Sequence, residues 1–175
     1  MDGSTLSLNE YQDLAVKTDR TRVKGANLSL PILGLFGETG SLLSEVKKKQ
    51  RDSKTYDSYE SGVIEEFGDA LWYLAIIAAH ANIRLEDIAD DSISSSKGSL
   101  LFAHLQPQQA LPLAAPTTEF ARTLLKLANS VGNLANDNGD AIPHLDTTAL
   151  NAQLKIIFYN LVHAATEAGV TLGEA

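Results

Sequence analysis

Cysteine is absent from the chain, which excludes a disulfide framework, a thiolate metal site and a cysteine nucleophile. Positive charge is scarce: 14 Lys and Arg stand against 22 Asp and Glu, a formal charge of -8. That sign repels phosphate backbones instead of releasing their counterions, so no nucleic-acid partner is expected. Long apolar runs are missing too. The longest, Ala70 to Ala79, is about half of the roughly 20 residues that cross a bilayer, and it reads as buried helix with no membrane association. The segment from Met1 to Glu10 lacks the basic and apolar regions of a secretory leader, so a cytoplasmic protein is expected. No glycine-rich phosphate loop is present. Gly34, Gly37 and Gly40 recur at three-residue spacing inside a helical stripe, where they read as permitting close helix packing. His80, His104, His144 and His163 lack metal-ligand spacing and read as structural or exposed.

What the sequence does have is helical periodicity, and 44% hydrophobic residues in 175 suffice to bury a sizeable core. Ser7-Leu-Asn-Glu10 reads as a capping box before a first helix that runs to about Thr18. A second helix runs from Pro31 to about Arg51 and a third from about Gly62 to Ala81, with the polar stretch Asp52 to Ser61 between them. Asn82 suits the end of the third because asparagine tolerates positive φ. A short fourth helix spans Leu85 to about Ser95. The stretch 97–117, with Pro107, Pro112 and Pro116, reads as a connector between a first half, 1–96, and a second half, 118–175. Helical periodicity returns from Thr118 to about Asn136 and from Thr147 to Ala168, where Gly169 supplies a stop.

The two halves read as diverged copies that pack as an internal pseudo-dimer, in an all-α helical bundle. Gly40 and Leu42 match Gly132 and Leu134 at an offset of 92, and Leu74, Ala78, Ala81 and Leu85 match Leu161, Ala165, Ala168 and Leu172 at 87. Under these offsets Glu38, Glu65, Glu66 and Asp69 fall on Ser130, Ala152, Gln153 and Ile156. The second half is therefore expected to be a scaffold, leaving one acidic metal site per chain. The sequence stops just after Leu172-Gly-Glu174, which matches Leu85-Glu-Asp87, so a terminal helix reads as missing from the second half.

Glu38 and Glu45 lie two turns apart on one helix face, while Glu66 and Asp69, with Glu65 beside them, sit on the third helix between Ile64, Phe67 and Leu71. Facing carboxylates in apolar surroundings repel one another unless a divalent cation neutralises them, and hard oxygen ligands favour Mg²⁺, or Mn²⁺.

Glu38-Thr-Gly-Ser-Leu-Leu-Ser-Glu45, Glu65-Glu66-Phe-Gly-Asp69-Ala-Leu-Trp-Tyr73 and Asn82-Ile-Arg-Leu-Glu86-Asp-Ile-Ala together resemble the MazG-like nucleoside triphosphate pyrophosphohydrolases, over about residues 8 to 95. The resemblance implies a bundle of the all-α NTP pyrophosphatase type, pairing into a homodimer. It further implies Mg²⁺-dependent hydrolysis of an NTP or dNTP to the monophosphate and pyrophosphate. Glu66-Phe-Gly-Asp69 matches the family's Glu-x-x-Asp element, whereas the partner Glu-x-x-Glu element keeps Glu38 but has Ser41 in its last position. The expected metal ligands are Glu38, Glu66 and Asp69, with Glu45 as a fourth, and Glu65 is the candidate for the attacking water. Lys48 and Lys49 are candidates for phosphate, or for complementing the helix dipole; Trp72 and Tyr73 either stack on a base or belong to the core. After Ile88-Ala89 the family's Asn and basic residue are replaced by Ser92 and Ser95, leaving Lys97 as a shifted phosphate contact. The alternatives are a noncatalytic nucleotide-binding relative and a helical interaction module without ligand.

Overall fold

The Ser7 hydroxyl accepts from the Glu10 amide while Glu10 accepts from the Ser7 amide, so the first helix starts at the capping box. The computed structural model describes residues 6–20, 28–93, 115–138, 146–170 and 172. Among them are six α-helices and no strand: α1 (Leu8–Thr18), α2 (Ser29–Asp52), α3 (Tyr59–His80), α4 (Leu85–Ile93), α5 (Thr118–Asn138) and α6 (Thr147–Ala168). No described helix is long and apolar enough to cross a membrane.

Stops follow the residue chemistry. Asn82 takes φ 58° and the Ile83 amide bonds back to the Ala78 carbonyl at 2.9 Å, closing α3 in a left-handed cap. Gly169, at φ 77°, ends α6 in the same way, with Val170 N–H on Ala165 O at 2.9 Å. Asp146 caps α6 from the front through the Thr148 and Ala149 amides.

Two helical hairpins, α2–α3 and α5–α6, make a four-helix bundle in which α2 also packs on α5 and α3 on α6. Leu35, Leu42, Phe67, Leu74, Leu124, Leu134, Leu154 and Phe158 are fully buried between them, and the Phe67 and Phe120 rings meet 6.5 Å apart across the middle. On the outside, α1 packs on α3 and α4, and α4 packs on α6. A buried side chain, Gln12, locks α1 down: its amide donates to Ala75 O at 3.3 Å and Ile83 O at 2.9 Å and accepts from Leu85 N–H at 3.2 Å. Arg84 to Asp13 at 2.9 Å and Asn9 to Glu86 at 2.7 Å add to the clasp.

Three boundaries differ from the sequence reading. The third helix starts at Tyr59, three residues early, because the Tyr59 ring is buried at its head with Lys49 over its face. The second starts at Ser29, before Pro31, which the first turn of a helix tolerates. The fifth extends to Asn138 because that buried amide bonds Leu134 O and the Gln153 side chain. Residues 97–114 of the connector, Ser95, Lys97, His104 and His144 lie outside the described residues.

Candidate metal centre

A short connection, 53–58, turns α3 back along α2 and brings the middle of α2 against the first half of α3. Leu35, Thr39 and Leu42 anchor the inner side of α2, and Val63, Phe67 and Ala70 that of α3. Glu38, Glu66 and Asp69 therefore stand together at the rim of this seam, Glu38 and Glu66 half-buried and Asp69 exposed. One oxygen from each lies within 4.8 Å of the other two.

Three carboxylates this close cannot all be ionised without cost. Glu66 carries the strain: burial, a hydrogen bond shared with Glu38 and the charges of Glu38, Asp69 and Glu65 push its pKa up to about 7. Tyr73 and Tyr11 sense the same negative field. Burial is the larger cause for each, with Glu38 and Asp69 adding to the rise at Tyr73 and Asp69 adding to the rise at Tyr11, to about 12. Tyr73 lies across α2 at Gly34, where a β-carbon would sit 2.2 Å from the ring. This donor set fits a hard divalent cation: three oxygens, concentrated negative charge and sides open to solvent for water or phosphate oxygens.

Protein-family models, curated proteins and solved structures give no match to this chain.

Glu65 is exposed and close enough to Glu66 to raise its pKa. Glu45 is not with the other acids. It is only 6% exposed, accepts from Lys48 Nζ at 2.7 Å and from the Tyr56 hydroxyl, and packs into the space left by Gly62. Its assignment as a fourth ligand is thereby corrected: two turns of helix separate it from Glu38 by about 10 Å, and its oxygens already have partners. Lys48 and Lys49, the candidates for phosphate or for complementing the helix dipole, both have partners within the chain. Lys48 neutralises Glu45, and Lys49 donates to Tyr56 O at 3.0 Å, so both hold the connection to α3.

Trp72 points its indole N–H at Thr18 Oγ1, 3.0 Å away on α1, and meets Tyr73 edge-on at 4.9 Å. It anchors α1, while Tyr73 borders the acidic cluster. His80 pairs with Asp19 at 2.7 Å in a mostly buried contact, and His163 stacks on Tyr159 at the exposed surface. Tyr56 sits in a polar stretch without periodicity, which gives no signal for it, and Tyr11 on α1 is a further residue that senses the acids. Ser7-to-Glu10 capping fixed the phase of α1, and that phase was the available signal for Tyr11.

Proposed function

We propose that the chain is a divalent-cation-dependent nucleoside triphosphate pyrophosphohydrolase of the MazG-like type. The observation that carries this reading is the convergence of Glu38, Glu66 and Asp69 oxygens within 4.8 Å across the α2–α3 seam. Three carboxylates suffice for Mg²⁺, which commonly takes one or two from protein and completes its shell with water and substrate phosphates, so Ser41 does not empty the site. When bound, the cation neutralises triphosphate oxygens and supplies Lewis-acid polarisation at the reacting phosphate.

The chain's own groups do the rest. Glu38, Glu66 and Asp69 hold the charge-compensating site, and exposed Glu65 takes a proton from the water that attacks the α-phosphorus. The bond from that phosphorus to the bridging oxygen breaks and pyrophosphate leaves. The Tyr73 ring, bordering the acids, offers a face to the nucleoside. Hairpin α2–α3 packs on α5–α6, and exposed Leu33 and Phe36 on α2 provide apolar surface for a homodimer, which sedimentation would detect.

The test is pyrophosphate release from a panel of NTPs and dNTPs with Mg²⁺. Glu66→Gln and Asp69→Asn should each lower turnover at least about a hundredfold with unchanged helix content. Full activity in either variant removes the proposal. A second reading, nucleotide binding without turnover, draws on Ser41 in place of an acid and on the engagement of Glu45 elsewhere. A nucleotide-dependent rise in melting temperature without pyrophosphate release would select it.

A further inference from the structure

The second half has a cleft of about 730 Å³ between α5 and α6. Its lining follows the sequence offsets: Ser130, Gln153, Ile156 and Asn160 stand where Glu38, Glu66, Asp69 and Tyr73 stand in the first half, and Lys126 where Gly34 stands. At the offset of 87 the large Tyr73 falls on the smaller Asn160.

Amide and hydroxyl side chains and one carboxylate form a network along the cleft. Asn138 donates to Gln153 Oε1 at 2.9 Å and Gln153 donates to Asp137 Oδ2 at 2.7 Å. Asn160 donates to Ser130 Oγ at 3.4 Å and Ser130 to Leu127 O at 2.8 Å. The lone carboxylate of the lining, Asp137, is engaged in this network, so the donor set does not suit a hard cation. In a chain of net -8 the cleft places two cations, Arg122 and Lys126, one turn apart on the same face of α5, with Asp137 further along the helix. Arg122 is held by Glu119, an exposed ion pair that a stronger anion displaces at little cost. Leu125 and Ile156 are 60% and 56% exposed in the lining, apolar surface that water covers poorly. Asn129 and Asn133 add amides that both donate and accept.

We propose that this cleft binds a nucleoside monophosphate without a metal ion. Arg122 and Lys126 take the phosphate as charge-assisted contacts, Leu125 and Ile156 flank the planar base, and the asparagine amides read its edge. The volume suits a ligand of that size, and cations at one end with amides along the rest match its charged and neutral parts. The proposal is independent of the acidic centre and of any reaction there.

Isothermal titration of the full chain in excess chelator, with nucleoside monophosphates, ribose 5-phosphate and inorganic phosphate as probes, tests it. At least one monophosphate should bind with one site per chain and more tightly than ribose 5-phosphate or inorganic phosphate. Lys126→Glu, an exposed change that leaves the core untouched, should weaken it by about tenfold or more. Asn133→Asp, which adds repulsion without removing a cation, should weaken it as well. Glu66→Gln with Asp69→Asn should leave it unchanged. Absence of binding by every monophosphate, binding no tighter than inorganic phosphate, or loss in the acidic-centre double variant with retention in Lys126→Glu would each overturn the proposal.

Discussion

Glu38 and Glu45 share a helix face and differ in fate because of what meets them from elsewhere. Glu45 is met by Lys48 and the Tyr56 hydroxyl, and Glu38 by two more acids. Helical spacing made the second meeting legible, since Glu66 and Asp69 are one turn apart on a helix bound to face α2. It could not announce the first, which depends on a tyrosine in the connection. The crowded acids make stability depend on pH in a definite direction. Glu66 titrates near 7 when folded against an ordinary value of 4.5, so between those values the folded chain holds more protons than the unfolded one. Stability of the chelator-treated protein should fall as pH rises through that window. Glu66→Gln should flatten that slope in thermal melts, and an unchanged slope would mean that another group is responsible.

At the scale of elements, chemistry at the ends was read most securely. The Ser7–Glu10 box, Asn82 and Gly169 each do locally what their side chains allow. The head of α3 was missed because Tyr59, Glu60 and Ser61 look polar, whereas tertiary burial of one ring decides that turn. The glycines of α2 divide in a way that spacing alone concealed. Gly34 is required by the Tyr73 ring, but β-carbons at Gly37 and Gly40 would meet nothing within 4 Å. Gly34→Ala should destabilise by about 1–3 kcal/mol through overpacking and tilt Tyr73 away from the acids. Gly37→Ala and Gly40→Ala should each stabilise by up to about 1 kcal/mol, the helix-interior cost of glycine. Denaturant midpoints for the three variants check the split, and destabilisation at all three positions would show that close packing extends along the whole stripe.

At the scale of the molecule, the all-α bundle was legible because every long segment carries one period, and charge is spread unevenly along the chain. From residue 101 onward the chain holds three of its 14 basic and six of its 22 acidic side chains. The open cleft in the second half was not legible, since sequence offsets carry no measure of the room between two helices. The one acidic centre among the described residues should give a single strong Mn²⁺ site in calorimetric titration. Glu66→Gln combined with Asp69→Asn should abolish it, and specific binding that survives would reveal ligands beyond the three carboxylates.

The chain has a single tryptophan, and its position gives the protein an optical reporter of its own. Trp72 touches Tyr73, which borders the carboxylates, while its indole proton is committed to α1 through Thr18. One emission band therefore registers two events. Loosening of the first helix should shift it to the red as the indole becomes hydrated, whereas a paramagnetic Mn²⁺ ion held by the acids should quench it without that shift. Occupancy of the acidic centre and docking of α1 can thus be followed in the native sequence, with no label added.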